Sequence, residues 1–422
     1  MERHSAMGRT ILFIHQNFPG QYRHLAPALL ARGDRVEAIG GPTAKGLPQI
    51  PLHRYDPMPT GGVPRCHPWA ADFQTKVLRA EAVAHLLETL RGEGLRPDLI
   101  VGHPGWGELL LVKDLFPRVP VLHQVEFVYQ VEGGDSDFDP EFSSRDWQQR
   151  SRVRLRRATQ LLALQDLDWG LAPTPWQAST VPPQYRERLS VIHEGIDTEA
   201  IRPDGTAEIQ LQNAGLRFRC GDPLITFVAR NLEPYRGFHI LMRALPELQR
   251  RCPEAHVLLV GGEGVSYGQP PPGGGSWKEL LLRELGDRLD TSRLHFCGLV
   301  PHALLHQLLR VSACHVYLTY PFVLSWSLLE AMSCGALVVG SATPPVQDVI
   351  EDGVNGHLVD FFDAAGLVEK VSSVLADPRC QIPLRQAARR TVQERFDLRR
   401  ICLPQQLALV DRLSRGNVSA VS

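Results

Sequence analysis

Two arginines frame a short turn in the second half of the chain and have the spacing to bind one anion. Arg230 closes the apolar run Leu224–Ala229, and Arg236 follows six residues later, just before Gly237 and another apolar stretch. A guanidinium group presents its N–H donors in a planar fork that matches the oxygens of a phosphate. By spacing alone, a diphosphate site and two surface arginines that cap loops are equally compatible with this pattern.

A second group of candidate residues lies downstream, around a predicted helix. Ser325 is a good N-cap, the helix is predicted to run through Met332, and Gly335 is a typical stop. The backbone N–H groups of Ser325 and Trp326 would face a phosphate at the positive end of the helix dipole. Glu330, in the second turn among apolar neighbours, could accept paired hydrogen bonds from a ribose diol. The alternative is a charge on the helix surface.

A glycine in the first loop is the third candidate. Gly20 follows the apolar run Ile11–His15 and a Pro, and a helix is predicted after it. Glycine lets the backbone approach a ligand closely. A strand, a Pro-Gly loop and a helix are a common sequence, so this feature is weak when taken alone.

The elements that must position these residues alternate along the chain. Short apolar runs, each followed by a segment with helical spacing, are typical of parallel strands covered on both faces, and so of the α/β class. The predicted strands are Ile11–His15, Val36–Gly40, Leu99–Gly102, Val119–His123, Leu161–Leu164, Leu171–Pro173, Val191–His193, Leu224–Ala229, His256–Gly261, Leu294–Cys297, His315–Tyr320 and Leu337–Gly340.

The alternation breaks once, which predicts two domains. Asp197–Pro223 is polar and rich in turn residues, so we interpret it as a linker between domains at 1–200 and 220–395. Residues 396–422 are predicted to form a closing helix, and the Pro- and Gly-rich stretch Val265–Trp277 a surface loop. Ligands of open parallel sheets bind beyond the carboxyl ends of the strands. The site is therefore expected in a cleft between the two domains.

Composition excludes some functions. The 422 residues include 45 Lys+Arg and 46 Asp+Glu, for a net charge of −1, which argues against a nucleic-acid partner. No apolar run reaches the roughly 18 residues of a membrane span, and the first apolar run is too short for a signal peptide. Eight cysteines without a CxxC pair indicate reduced thiols. These features predict a cytoplasmic protein.

Three motifs, in this order, resemble the retaining glycosyltransferases of family 4, which have the GT-B fold of two Rossmann-like domains facing across a cleft. Val228–Gly237 resembles the family pattern V-G-R-x-x-P-x-K-G, with one additional residue between Arg230 and Pro234 and with Arg236 in place of lysine. Glu330–Gly335 resembles the end of the Glu-x7-Glu motif, E-A-M-A-x-G. Asp348–Val359 resembles the later D-x-x-x-D-G-x-x-G-x-L-V pattern.

The resemblance implies a nucleoside-diphosphate sugar as donor, bound to the second domain. Arg230 and Arg236 would bind the diphosphate, Glu330 the ribose, and the backbone near Val300 the base, while Gly20 of the first domain would close over the phosphate. The arginines and the helix dipole would neutralise the diphosphate, so neither a metal ion nor a cofactor is expected. The expected partners are this donor and a hydroxyl acceptor on a glycan, a lipid or a small molecule.

One residue departs from the family pattern. Phe322 stands eight residues before Glu330, where the family has a glutamate that holds donor sugar hydroxyls. Either the sugar is bound differently, it lacks hydroxyls there, or transfer is lost. The alternative hypothesis is therefore a protein of the same fold that binds a nucleotide or regulates glycan synthesis. An epimerase of the same fold is a third interpretation, weakened because its expected carboxylates are missing.

The first domain carries two candidates for the reacting centre. Aligning Pro120–Glu126 with the corresponding family strand puts Glu126 where the family has a histidine near the reacting sugar carbon. His103 follows the preceding strand and is expected to face the same cleft. The resemblance further implies that the leaving phosphate helps to deprotonate the acceptor. Glu194 replaces an asparagine in Val191–Asp197, a segment interpreted as structural.

Three other patterns are interpreted as lacking a metal or cofactor. Asp135–Asp139 resembles a DxD metal motif but follows no apolar strand. His302 and His306 have i,i+4 spacing, but no third ligand is apparent, so a helix surface is favoured. No G-x-G-x-x-G follows a strand, which disfavours a dinucleotide oxidoreductase.

A basic segment raises the question of membrane contact. Arg145–Arg157 contains six arginines in thirteen residues, and on a helix Arg150, Arg154 and Arg157 share one face. Such a face could rest on an anionic membrane and place the protein at the inner face of the membrane. A solvated helix face is the alternative.

Overall fold

The computed structural model describes residues 8–58, 62–63, 65–143, 146–211 and 215–416. The chain divides into two compact units. The first unit combines the chain up to Gly195 with the segment from Arg399 onward, and the second unit spans Ile196–Leu398.

The first unit is built on a parallel sheet of seven strands. Its strands are β1 (Thr10–Ile14), β2 (Arg35–Gly40), β3 (Leu52–Arg54), β4 (Leu99–Gly102), β5 (Val121–Gln124), β6 (Trp169–Ala172) and β7 (Leu189–Val191). They are ordered β3-β2-β1-β4-β5-β6-β7. Ile11, Leu12 and Phe13 are all fully buried, as expected for a strand covered on both faces.

Six helices follow these strands along the chain. They are α1 (Leu25–Ala31), α2 (Ala71–Gly92), α3 (Val112–Leu115), α4 (Trp147–Gln165), α5 (Pro175–Ser179) and α6 (Pro183–Arg186). Asp146 caps α4 by accepting a hydrogen bond from the backbone N–H of Gln149. Among the described residues, no helix in either unit combines the length and apolar character needed to cross a membrane.

The second unit contains a parallel sheet of six strands and a separate hairpin. The hairpin pairs β8 (Glu208–Leu211) with β9 (Leu216–Arg219) in antiparallel fashion. The sheet strands are β10 (Leu224–Asn231), β11 (His256–Gly262), β12 (Leu294–Gly298), β13 (Cys314–Tyr317), β14 (Leu337–Ser341) and β15 (His357–Val359). Their order is β12-β11-β10-β13-β14-β15.

Seven helices belong to the second unit, and one more returns to the first. The seven are α7 (Phe238–Arg251), α8 (Trp277–Leu285), α9 (His302–Val311), α10 (Trp326–Cys334), α11 (Pro344–Gln347), α12 (Ala364–Ala376) and α13 (Ile382–Arg395). After a π-helical turn over Leu398–Cys402, α14 (Leu403–Ser414) buries Leu409, Val410 and Leu413 in the core of the first unit. Pro404 is tolerated because it lies in the first turn of α14.

Two sequence predictions about these elements are wrong. Asp197–Pro223 is not a simple linker, because it contains the β8–β9 hairpin, whose Ile209 and Phe218 are buried in the core of the second unit. Leu161–Leu164 is not a strand but lies in α4. Its apolar residues serve a helix face, and a short apolar run does not distinguish the two structures.

Each parallel sheet has one place where the strand order reverses. In the first unit it lies between β1 and β4, and in the second between β10 and β13. The connections that leave two such strands run to opposite faces of the sheet, which opens a crevice at their carboxyl ends. The predicted site residues must therefore be sought after these four strands.

Candidate functional site

Arg230 lies at the carboxyl end of β10, beside the reversal point of the second sheet. The pairing of β10 with β11 is irregular between Val228 and Asn231, so this part of the strand departs from regular pleating. The Arg230 side chain is exposed. Within the described chain, the Arg230 guanidinium forms no hydrogen bond or ion pair with the protein. Its N–H donors are therefore available to solvent or to a ligand.

Arg236, in contrast, is buried and held by the protein. Its Nη1 donates to Thr319 Oγ1 at 2.9 Å, to the Val323 carbonyl at 3.0 Å and, more weakly, to the Tyr317 hydroxyl at 3.4 Å. The guanidinium carbon lies 5.8 Å from the centre of the Phe322 ring. The two arginines therefore have different environments, and Arg236 is a fixed positive charge inside the site.

Phe322 belongs to a cluster of aromatic rings around Arg236. Its ring centre lies 4.9 Å from that of Tyr267 and 5.5 Å from that of Tyr235, and only 5% of the residue is exposed. Tyr235 also packs against Tyr320, with the ring centres 4.7 Å apart. Where the family pattern has a carboxylate, this chain has Phe322, which with the neighbouring tyrosine rings forms an aromatic wall beside the Arg236 guanidinium.

Glu233 fastens a long loop to this wall. Its fully buried carboxylate accepts hydrogen bonds from the backbone N–H groups of Ser266, Tyr267 and Gly268 at 3.1, 3.2 and 3.0 Å. The loop is the predicted Val265–Trp277 stretch, which contains no helix or strand before α8. Sequence reasoning missed Glu233 because nothing near it in the sequence identifies its partners, which lie more than thirty residues away.

The start of α10 only partly matches its predicted role. Ser325 is the N-cap, and its hydroxyl accepts from the backbone N–H of Ser327. The backbone N–H of Ser325, however, donates to the Tyr317 hydroxyl at 2.8 Å. It is therefore not the free phosphate donor that the sequence predicted. Trp326 is the first residue of the helix and is half-buried.

Glu330 is buried in the second turn of α10, with 2% of the residue exposed. Its Oε1 lies 3.5 Å from Nε2 of His306, and neither atom forms a hydrogen bond within the described chain. The alternative prediction for Glu330, a charge on the helix surface, is therefore wrong. Because a buried polar atom without a partner is costly, a ligand hydroxyl or ion at this position would be stabilising. Val300, half-buried just after β12, also lies in this unit.

In the first unit, a histidine lies directly behind the predicted glycine. His15 follows β1, and its Nδ1 accepts a hydrogen bond from the backbone N–H of Asn17 at 3.0 Å, which places the ring proton on Nε2. Burial and the neighbouring His103 lower the pKa of His15 to about 3. Gly20 has a φ of +49°, and a Cβ there would lie 2.8 Å from the His15 ring. Glycine is thus required by the turn and by the ring.

His103 and Glu126 come together, as the sequence expected of two strand ends. His103 Nε2 lies 3.4 Å from a carboxylate oxygen of Glu126, and Gln21 donates to the other oxygen at 3.4 Å. Burial opposes ionisation of Glu126, but the interactions with His103, His15 and Gln21 together outweigh it and lower the pKa of Glu126. The His15 and His103 rings are 6.1 Å apart. A carboxylate and two imidazoles thus share one strand edge.

Two further acidic residues of the first unit are buried and hydrogen-bonded. Glu194 is buried and accepts a hydrogen bond from Gln124 Nε2 at 3.0 Å. Glu108, by contrast, was missed. Its buried carboxylate accepts from the Tyr55 hydroxyl at 2.6 Å, and burial raises its pKa. Its sequence context, between Gly107 and a run of leucines, gives no sign of this bond.

Comparison with known families gives two matches that adjoin one another. Residues 32–201 match the family model described as Glycosyl transferase family 4 group, and residues 210–395 match Glycosyl transferases group 1. The chain belongs to the family 4 glycosyltransferases of the GT-B fold.

Two curated relatives of this family 4 chain align over about half of its length. A GDP-mannose-dependent alpha-(1-6)-phosphatidylinositol monomannoside mannosyltransferase of Mycolicibacterium smegmatis is 30% identical over 198 residues, 45% of this chain and 48% of the relative. A D-inositol 3-phosphate glycosyltransferase of the same organism is 29% identical over 191 residues, 45% of this chain and 40% of the relative. The chain thus spans about half the length of these relatives.

Solved structures match over nearly the whole chain and show the fold. Sucrose-phosphate synthase from Thermosynechococcus elongatus superimposes with a TM-score of 0.72 at 21% identity, covering 97% of this chain and 100% of that one. Anabaena HepE in complex with UDP gives a TM-score of 0.65 at 19% identity, with 95% and 99% covered. These matches confirm the predicted GT-B fold.

Within this GT-B chain, the predicted residues fall into two groups. In the second unit, Arg236, Phe322 and Ser325 surround Tyr317 and its neighbours, whereas Arg230 points to solvent and Glu330 pairs with a residue of α9. In the first unit, Gly20, His103 and Glu126 lie around His15. The basic helix predicted over Arg145–Arg157 begins at Trp147, and Arg145 lies outside the described residues.

Proposed function

We propose that this chain is a retaining glycosyltransferase that moves a sugar from a nucleoside-diphosphate sugar to a hydroxyl acceptor and needs no metal ion on the diphosphate. The observation that carries the proposal is Glu330, a buried carboxylate whose Oε1 has no hydrogen-bond partner in the described chain. A ribose diol would supply the missing donors. The family to which the chain belongs supports the same assignment.

Arg230 is proposed to bind the donor diphosphate. It is exposed at the carboxyl end of β10, and each charge-assisted hydrogen bond to a phosphate is worth about 1.5–3 kcal/mol. Negative charge grows on the diphosphate as the sugar leaves, so a positioned guanidinium stabilises the transition state more than the ground state. The buried Arg236 would add a fixed positive charge near the diphosphate, and the positive end of the α10 helix dipole would add to it.

Phe322 is proposed to contact the donor sugar through its ring. Because a phenylalanine accepts no conventional hydrogen bond, the sugar would be held by its apolar C–H face and by polar groups elsewhere. Phe322 also supports the second candidate function, a nucleotide-binding or regulatory protein that transfers no sugar. Turnover of donor in the presence of acceptor distinguishes the two, since that second candidate would bind nucleotide without releasing it from a sugar.

The acceptor is proposed to bind at the carboxyl ends of β4 and β5 in the first unit. Glu126 is ionised at neutral pH because its pKa lies below the ordinary value, so it accepts hydrogen bonds from an acceptor hydroxyl. His103 holds this carboxylate from one side. In a retaining reaction without an enzymic nucleophile, the leaving phosphate would take the hydroxyl proton on the same face of the sugar.

The donor base and the acceptor differ among the similar proteins. The Mycolicibacterium smegmatis relative is GDP-mannose-dependent by name, while Anabaena HepE was solved with UDP and with UDP-glucose. We therefore propose the class of donor and leave its base to experiment. A calorimetric titration of the metal-free chain with several nucleoside diphosphates tests the proposal and identifies the base.

Peripheral contact with an anionic membrane is also proposed, through α4. Arg150 and Arg154 are exposed on this helix, as are the apolar side chains of Trp147 at its start and Leu162 in its last turn. A helix with exposed arginines and exposed apolar side chains is suited to the headgroup region of a bilayer. Arg157, predicted to share this face, is half-buried and contributes less.

A further inference from the structure

Three potential metal ligands meet between α9 and α10 in the second unit. His302 and His306 lie one turn apart on α9, and Glu330 lies in the second turn of α10. Their nearest ligand atoms, two imidazole nitrogens and a carboxylate oxygen, all lie within 4.8 Å of one another. The i,i+4 histidine pair was noted in the sequence and set aside for want of a third ligand. The fold supplies that ligand from α10.

Two of these ligand atoms are buried without a hydrogen bond, which is unfavourable in a protein core and is relieved when they bind a metal ion. Glu330 Oε1 and His306 Nε2 are both buried, lie 3.5 Å apart, and form no hydrogen bond within the described chain. Ligands of a tetrahedral zinc ion with bonds of about 2.0–2.2 Å lie roughly 3.3–3.6 Å apart. The Glu330–His306 pair already has this separation.

His302, the third ligand, lies on the exposed side of the cluster, where a metal ion would enter. His302 is exposed at the start of α9, and its nearest ring nitrogen lies within 4.8 Å of the other two ligand atoms, so we expect side-chain rotation to be enough to complete the set. A set of two histidines and one glutamate leaves a fourth position for water, and this donor set favours zinc and the neighbouring transition metals over magnesium or calcium.

We propose that His302, His306 and Glu330 form a binding site for a divalent transition-metal ion of the zinc class. No metal ion is assigned to the diphosphate, so the site is compatible with metal-independent transfer. Its occupation has a regulatory consequence that rests on the proposed function: a carboxylate that ligates a metal ion is not free to bind a ribose diol. Metal and nucleotide would then exclude each other.

The test is a calorimetric titration of Zn²⁺ alone into the full chain, after treatment with a chelator and without nucleotide. We expect one ion per chain to bind, and we expect His302→Ala and His306→Ala each to weaken binding by at least about tenfold. His85→Ala, which removes an exposed histidine from α2, is the matched control and should leave binding unchanged. Because His302 is exposed, its removal does not threaten the fold.

Cobalt substitution distinguishes this site from the exposed thiols of Cys66, Cys220 and Cys380. Co²⁺ bound by nitrogen and oxygen shows visible ligand-field bands without the intense near-ultraviolet thiolate band. Either a thiolate band or Zn²⁺ affinity unchanged in both histidine variants would overturn the site.

The competition is measured separately, by repeating the titration with saturating nucleotide and correcting for the Zn²⁺ that the nucleotide binds in the same buffer without protein. We expect the Zn²⁺ affinity to fall at least tenfold. An unchanged affinity with nucleotide bound would overturn the competition and leave the metal site standing. If no nucleotide binds the metal-free chain, the proposed function fails, while the titration with Zn²⁺ alone still decides the site.

Discussion

Arg230 and Glu330 are charged side chains for which the described chain provides no hydrogen bond. The free-energy cost of lacking a hydrogen bond differs between the two side chains. The Arg230 guanidinium is solvated, so leaving it without a protein partner costs little. The buried Glu330 carboxylate has lost water on one oxygen without replacing it, which is expensive unless a ligand supplies a donor. Both residues are therefore better explained by ligand binding than by folding.

Replacing either residue should lower the rate of transfer more than it lowers stability. We expect Arg230→Ala and Glu330→Gln each to reduce kcat/KM at least tenfold, or about 1.4 kcal/mol of transition-state stabilisation. The measurement is release of nucleoside diphosphate from a sugar donor whose base is the one that binds best in a titration with UDP, GDP, ADP, TDP and CDP. Arg250→Ala removes an exposed arginine that pairs with Glu247 on α7, and it should retain full activity. Near-normal activity in both site variants would exclude this donor site.

The sequence could identify these residues but not their partners. Arg230 and Glu330 stand in motifs with fixed spacing, and their strand and helix ends are encoded locally. The stacking of Phe322 on Tyr267 and the approach of His306 to Glu330 join residues that are 24 to 55 positions apart in the chain. Such contacts depend on how strands and helices pack, which single-sequence patterns do not specify.

At the scale of elements, the Val265–Trp277 loop depends on one carboxylate. Glu233 accepts three backbone N–H groups from it, and the loop in turn places Tyr267 against Phe322. A Pro- and Gly-rich loop has little order of its own. Glu233 therefore connects the turn after β10 to the aromatic wall of the site.

Removing this carboxylate should release the loop. We expect Glu233→Ala to lower the free energy of unfolding by at least about 2 kcal/mol, since it leaves three half-buried N–H groups unpaired, and to speed amide exchange at Ser266–Gly268. Urea unfolding and hydrogen exchange measure the two effects. Glu263→Ala is the matched control, because its carboxylate pairs with Lys278 at the surface and should change stability by less than about 1 kcal/mol. Equal effects of the two variants would contradict this role.

Helix α4 supplies the second prediction at this scale. We expect the triple variant Arg150→Ala, Arg154→Ala, Arg157→Ala to lose most of its binding to vesicles that contain anionic lipid, measured by co-sedimentation at low salt, because attraction to anionic headgroups falls with each lost cation. The matched control replaces exposed Arg217, Arg250 and Arg251, which removes the same charge from the second unit. A triple variant that still pellets like the wild type would eliminate membrane contact through α4.

Elements with strong local signals were predicted well, and weaker ones were not. β10 and β11 are continuous apolar runs and were expected within two residues of where they lie. The strands β3 and β15 are three residues long and were missed. The β8–β9 hairpin was read as a linker because its alternating polar residues face solvent, and its buried residues contact the core only once the second unit has folded.

At the scale of the whole molecule, buried neutral histidines make stability depend on pH. In the first unit, burial lowers the pKa of His15 and His193 to about 3 and that of His123 to about 4. The unfolded chain binds protons at these residues below pH 6.5, whereas the folded unit does not until pH 3–4. As the pH is lowered, the unfolded state therefore gains protons before the folded state does. The free energy of unfolding consequently decreases as the pH falls from about 6.5 towards 4.

We expect the free energy of unfolding of the first unit to be lower at pH 5 than at pH 7, by about 1.4 kcal/mol per pH unit for each histidine once the unfolded form is protonated. The raised pKa of Glu108 acts in the opposite direction but is one group against three. Urea unfolding at the two pH values measures the difference. His123→Gln should reduce the dependence and His85→Gln should not. Equal stability at both pH values would contradict the assignment of neutral buried rings.

The most direct test of the central claim is a calorimetric titration of the intact chain with UDP, GDP, ADP, TDP and CDP in the presence of EDTA, on the wild type and on Arg230→Ala. A ligand that binds only the folded state also raises its melting temperature, which gives a second readout. The account predicts that one diphosphate binds selectively without metal and that Arg230→Ala weakens it at least tenfold. Absence of binding by all five, or equal binding by wild type and variant, would contradict a donor site at Arg230.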